Sequence, residues 1–285
     1  MSARRGPSWL TLIGAYAACA LACVVVLYPV LLVVKKAIEP GTSFSLSPSP
    51  LPSDVTLDHF RDVLGARGEH GELLFLRQAI NSIVCAALTT VIGVALSCTC
   101  AYALSRLRFP GQRAGLGMFL VVQMFPATLL LLPLYVLLDR LHLLGSLLGL
   151  VLVYATTAIP FCVWNLKSYF DAIPRELEEA ARVDGASPWV TFRKVILPLV
   201  RPGLAITALF SFMTAWNEFI MASTFMTEER QYTLPVLVQS SVGQFSADWG
   251  RFAAGALLTS LPVIILFYVL QRFLTGGLTS GAVKG

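Results

Sequence analysis

The chain has 285 residues, of which 56% are hydrophobic and only 13% charged, and its mean hydropathy is +0.74. Soluble domains are about a quarter charged, so this composition excludes a water-solvated globular protein and points to one bundle of membrane-spanning helices. The net charge of +5 has no clustered basic face, which excludes nucleic-acid binding and fits the positive-inside bias of membrane proteins.

Six segments are apolar over the roughly twenty residues needed to cross a bilayer: 9–34, 78–104, 115–138, 144–169, 203–225 and 252–274. Each is expected to be helical, because backbone groups in lipid must be paired within the segment. The first follows Arg4-Arg5 but is too long for a signal-peptide core and lacks a small-x-small cleavage site, so residues 1–34 read as a retained anchor. Residues 35–77 form a connection with a Pro/Ser-rich linker at 43–52 and a short amphipathic helix expected over 56–64. The span 78–274 encloses the remaining core. Within it, 171–201 is the longest polar loop, where Pro174 suits a first helical turn, 175–183 contains no helix breaker, and Pro188 ends or restarts the helix. Residues 226–250 form a second polar loop. The tail 275–285 holds Gly276, Gly277, Gly281 and Gly285 and is expected not to be helical, since each glycine costs about 1 kcal/mol against alanine.

Lys and Arg in the short loops set the orientation. Placing the N-terminus inside puts thirteen of the 21 on the inner face and leaves eight outside, five of them in or beside 35–77 among six acids. Both termini are therefore expected in the cytoplasm, with 35–77 and 226–250 outside.

The most informative stretch is Glu179-Ala180-Ala181-Arg182-Val183-Asp184-Gly185, followed after nine residues by Val195-Ile196-Leu197-Pro198. Acids at 176, 178 and 179 suit a helix N-terminus, two alanines give a smooth face that lets another surface approach, and Gly185 offers the positive φ that ends a helix. Such a peg suits a groove on a partner. The spacing E-A-A-x-x-x-G, nine residues, then I-x-L-P resembles the loop by which ABC-importer permeases couple to their ATPases, with Val195 in place of the more usual Ile. Elsewhere in the chain and within that stretch, Cys100-Ala-Tyr-Ala, Arg108-Phe-Pro-Gly111, Gln123-Met-Phe-Pro-Ala127, Ala186-Ser-Pro-Trp189 and the ending Gly277-Leu-Thr-Ser-Gly-Ala-Val-Lys-Gly285 are similar to the smaller permease of the maltose/maltodextrin importers.

That resemblance covers nearly the whole chain and implies an all-α, six-helix, type I ABC-importer permease in the cytoplasmic membrane. It implies a larger partner permease, two ATPase subunits, an extracytoplasmic sugar-binding protein and a pore sugar site mainly on the other permease. ATPase coupling would fall to Glu179, Ala180, Ala181, Gly185, Leu197 and Pro198. Gln244, Phe245 and Asp248 would touch the binding protein, and the tail would enter the ATPase interface. No Gly-x-x-x-x-Gly-Lys-Ser/Thr phosphate loop is present, so the chain is expected to be non-catalytic, with no catalytic residue, cofactor or metal.

Polar groups inside spans are costly and need a reason. Asn217 and Glu218 read either as part of the translocation path or gate, or as a structural hydrogen bond between helices; both readings stand. Asn81 and Gln123 read as interhelical bonds, and the six cysteines as small packing groups. A channel or secondary transporter would show internal repeats and charged relays, of which the sequence has none beyond Glu218, and a membrane enzyme a nucleophile or metal constellation, which is absent from the sequence. Within the resembled family, another oligosaccharide such as trehalose or a cyclodextrin is the alternative cargo.

Overall fold

The computed structural model describes residues 9–43, 49, 51–52, 54–243 and 247–281, with side chains as far as 271. In chain order the helices are α1 (Trp9–Ile38), α2 (Asp58–Gly65), α3 (Leu74–Arg106), α4 (Gln112–Met124), α5 (Leu131–Arg140), α6 (Leu147–Asp171), α7 (Glu176–Val183), α8 (Pro188–Thr191), α9 (Leu197–Leu199), α10 (Arg201–Trp216), α11 (Ile220–Phe225), α12 (Leu234–Ser240) and α13 (Trp249–Gly281). Among the described residues the only β-pairing is two isolated bridges, Arg67 with Leu73 and Val242 with Ala247.

Among the described residues four stretches are continuous, long and apolar enough to cross a membrane: α1, α3, α6 and the Trp249–Gln271 part of α13. Counting bent pairs as single spans brings the number to six. The third expected span, 115–138, is not one straight helix. α4 turns by 93° into the 3-10 turn Ala127–Leu130 and α5. Its last cap, Phe125, is extended (φ −76°, ψ 127°), as the residue before a proline prefers. The fifth, 203–225, is also broken: α10 ends at Trp216 and α11 starts at Ile220, for a reason that lies in Glu218. The tail is corrected too, since α13 runs on through Gly281. Adding residues to a formed helix is far easier than nucleating one, so a long apolar helix carries its glycine-rich extension.

The chain divides into two compact units, Met1–Ala66 with Val238–Leu258, and Arg67–Leu237 with Thr259–Gly285. In the first, Asp58 N–H donates to Thr56 Oγ1 (3.1 Å) and opens α2, one residue pair inside the expected 56–64. His59 is buried, with Nε2 3.1 Å from the Glu39 carbonyl. Gly250 has no room for a side chain, because a Cβ would sit 2.2 Å from His59 Nε2.

The second unit is built on α3, α6 and α10, which pack along one another. One apolar cluster, with Cys98, Leu104, Val163, Leu166, Phe170, Phe192 and Ile196, lies at the α7 end. The other, with Leu150, Tyr154, Trp216, Phe225 and Leu234, lies at the opposite end. Helices in lipid associate through close fit rather than water exclusion, and small residues allow it. A Cβ on Gly93 would be 3.1 Å from Ser211 Oγ, and one on Gly203 2.5 Å from the Tyr169 ring.

Candidate functional site

α7 is eight residues long and opens with Glu176, Glu178 and Glu179 in its first turn. Its C-terminus explains the spacing of the motif. Gly185 has φ +81°; its N–H donates to the Arg182 carbonyl (3.0 Å) and the Ala186 N–H to the Ala181 carbonyl (2.9 Å). These are the two bonds of a Schellman cap, in which the second alanine of E-A-A accepts and the glycine four residues on turns left-handed. Ser187 then caps α8, accepting from Val190 N–H (3.4 Å) with Pro188 in the first turn. A π-turn, Phe192–Ile196, carries the chain into Leu197 and Pro198, both half-buried. The 76° bend into α10 follows them.

The two faces of α7 differ in kind. Glu179, Ala180, Gly185 and Arg182 are exposed and Ala181 half-buried, beside Val183 at 87% and Trp189 at 64% exposure. Glu178 is 5% exposed and points inward to the end of α3. It pairs with Arg106, whose Nε donates to Glu178 Oε1, whose Nη2 donates to the Ile173 carbonyl (3.0 Å) and whose Nη1 donates to Ser105 Oγ (3.2 Å). The Tyr102 hydroxyl donates to Glu178 Oε2 (3.3 Å), and its ring packs on Phe192 at 4.7 Å and Phe170 at 5.5 Å. Arg175 Nη2 reaches the Ser105 carbonyl (3.3 Å), while Ser105 Oγ and Lys167 Nζ both donate to Asp171 (2.6 Å each). Removing one partner from a buried ion pair costs roughly 3–5 kcal/mol, because the other is left uncompensated. One face of α7 is therefore fixed to α3, while among the described residues Glu179 and Ala180 on the other face stay exposed. Glu178, Arg106 and Tyr102 were missed by the sequence reasoning. The available signal was a basic residue ending α3 and acids starting α7, each on the helix end whose dipole favours it.

Glu218 lies where α10 stops. Its Oε1 accepts from Met221 N–H (2.8 Å), and its Oε2 from Ala222 N–H (3.1 Å) and the Tyr154 hydroxyl (2.6 Å). It thereby satisfies the free amides that begin α11, and the break of the fifth span is built around it. Asn217 is exposed. The two also line a mostly apolar groove of about 580 Å³ with Phe161, Phe210, Met213 and Thr214, where the Phe161 and Phe210 rings stack at 3.7 Å. Structural and groove-lining roles thus coexist at this position.

Asn81 bonds the short 3-10 helix Glu229–Gln231 and the residue after it rather than another span. Its Nδ2 donates to the carbonyls of Arg230 (2.9 Å) and Tyr232 (3.0 Å), and beside it Gln78 Nε2 donates to the Glu229 carbonyl (2.8 Å). Gln123 is exposed. Gln244 and Phe245 lie outside the described residues. Asp248 is turned to its own backbone: Oδ1 accepts from Arg251 N–H (2.9 Å) at the start of α13 and lies 4.0 Å from His59 Nδ1.

Known proteins resemble this chain in sequence and in fold. The profile of the family described as binding-protein-dependent transport system inner membrane component matches residues 90–279, which include α7 and its cap. The trehalose transport system permease protein SugB of Mycobacterium tuberculosis (strain CDC 1551 / Oshkosh) is 39% identical over 290 residues, covering 100% of each chain. The maltose/maltodextrin transport system permease protein MalG of Salmonella typhimurium is 39% identical over 275 residues, 91% of each chain. Among solved structures, a bacterial ABC transporter involved in the import of the acidic polysaccharide alginate has a TM-score of 0.75 at 24% identity, covering 94% of this chain and 99% of that one. The MetNI methionine ABC transporter has a TM-score of 0.59 at 18% identity, covering 73% and 98%; likeness at these identities is one of fold, that of ABC-importer permeases. The chain belongs to the binding-protein-dependent transport system inner membrane component family.

Proposed function

We propose that this chain is one of two unlike permeases of an ATP-driven importer that moves maltose and maltodextrins across the cytoplasmic membrane. Both termini and α7 lie on the cytoplasmic side, and residues 226–250 lie outside. Two ATPase subunits sit beneath the two permeases, with the exposed face of α7 as this chain's contact to them, and an extracytoplasmic sugar-binding protein delivers cargo to the other end. The observation that carries this reading is the two-faced α7. One side is locked to α3 through Glu178, while among the described residues the other leaves Glu179, Ala180, Val183 and the neighbouring Trp189 exposed. A free, rigid helix with an acidic end and an apolar rim is built for a partner's groove. Asn217 and Glu218 border the sugar path, and the tail 275–285 enters the ATPase interface. The chain binds the energy source only through its partner and breaks no bond itself.

Trehalose is the second reading for the cargo, because the trehalose-permease relative matches the full length of this chain at the same identity as the maltose-permease relatives. Uptake of labelled maltose, maltotriose and trehalose by vesicles carrying the assembled transporter and its binding protein separates the two. Maltose and maltotriose uptake driven by ATP supports the first reading, and trehalose uptake alone replaces it with the second.

A further inference from the structure

We propose that α3 is a rod that links the coupling helix to the outer loop, with Glu178, Arg106, Gln78 and Asn81 as its positioning residues; this rests on reading α7 as the ATPase dock. Among the described spans of continuous helix, α1, α6 and α13 contain Pro29, Pro160 and Pro262, whereas α3 contains no proline. Proline removes a helix hydrogen bond and loosens the helix. The remaining candidate spans are bent by 93° and 76°. Among the described residues α3 is thus the one continuous span without a proline, and its 33 residues reach about 50 Å at 1.5 Å per residue.

Both ends of the rod are bolted. At the α7 end the joint is the buried Arg106–Glu178 pair with Tyr102, at 7% and 6% side-chain exposure for the two charges. At the other end Gln78, Asn81 and Ser82 are 0%, 3% and 2% exposed. They sit at i, i+3 and i+4, on one helix face, and hold the backbone of 229–234. Gln78 and Asn81 donate to the carbonyls of Glu229, Arg230 and Tyr232, and Ser82 Oγ accepts from Leu234 N–H (2.7 Å). These bonds cross about 150 residues of sequence, 149 to 152, and grip main chain, so the segment is held whatever its side chains do. It is the base of the loop assigned to the binding protein. Movement of α7 by the ATPases is passed along α3 to that loop, and the arrival of loaded binding protein is passed back.

The test is a double-mutant cycle between the two ends, on the complete transporter in proteoliposomes. The reading is the ratio of ATP hydrolysis with sugar-loaded binding protein to hydrolysis without it. Variants are Glu178→Gln, Asn81→Ala and the pair, whose sites are about 40 Å apart along α3. Mutations this far apart normally add. If both act through one rod, each single variant lowers the ratio about tenfold and the pair falls little further than the worse single one. A pair that falls about a hundredfold, or a single variant with the wild-type ratio, overturns the proposal. Tyr102→Phe replaces Glu178→Gln in the cycle if that variant does not assemble. ATPase copurification separates the two readings. Loss of the ATPases from Glu178→Gln alone makes the pair part of the docking surface and overturns the rod while leaving the dock; their absence from the wild-type complex overturns both.

Discussion

Replacing Gly185 isolates the cap of α7 from every other effect. Its φ is +81°, and a Cβ built there meets no atom within 4 Å, so a side chain introduces backbone strain without a clash. For an L-residue the left-handed conformation costs roughly 1–2 kcal/mol, or about five- to thirtyfold in the population of the capped end, at 1.4 kcal/mol per tenfold. A β-branched residue is disfavoured further, whereas asparagine is several-fold enriched there. The strained forms lose the bonds from Gly185 and Ala186 to Arg182 and Ala181 and release the Ala180–Asp184 surface from its fixed shape. ATP-driven sugar uptake is therefore expected to stay within about twofold of wild type in Gly185→Asn, to fall about fivefold in Gly185→Ala and to fall tenfold or more in Gly185→Val. Amounts of assembled complex should be equal in all three. Equal uptake in the Asn and Val variants, at either level, would refute the argument that the left-handed cap is what the glycine supplies.

Glu179→Lys reverses an exposed charge on the docking face, so uptake should be lost while the spans still insert; membrane fractionation with an uptake assay checks this. Tyr154→Phe takes one donor from Glu218 and leaves its two backbone bonds, which should destabilise the purified permease by about 1–3 kcal/mol, seen as a lower midpoint of thermal unfolding in detergent. Phe245→Ala leaves the Asp248 bond to Arg251 in place, so α13 keeps its start, and stimulation of hydrolysis by loaded binding protein should drop with basal hydrolysis retained. Unchanged stimulation would make the 244–248 tip a passive connector.

What the sequence disclosed depended on the range of the physics. The apolar lengths located α3 and α6 because lipid acts on every residue of a span alike. Gly185 was legible because a helix cap is local: the alanine that accepts and the glycine that turns lie four residues apart. The bend at Phe125 was half legible, since Pro126 announces a kink but not its 93°. Glu178 was not legible. Adjacent glutamates at 178 and 179 look alike in sequence, and which of them is buried is decided by Arg106, 72 residues earlier. Glu218 was legible as an expensive group but not as the cause of the break at 217–219, because its donors, Tyr154 and the α11 amides, come together only when α6 and α10 pack. The tail misled because glycine propensity was weighed without the long helix that precedes it.

The central claim is that the exposed face of α7 is the surface on which the ATPases dock. The most direct measurement is crosslinking from single positions in the assembled transporter: Val183→Cys, at 87% exposure on that face, and Thr227→Cys, exposed in the loop that α3 holds at its far end, each carrying a short photo-crosslinker. A covalent product with the ATPase subunit from position 183 and none from 227 is the predicted result. No ATPase product from 183, or a product of equal yield from both positions, would contradict it.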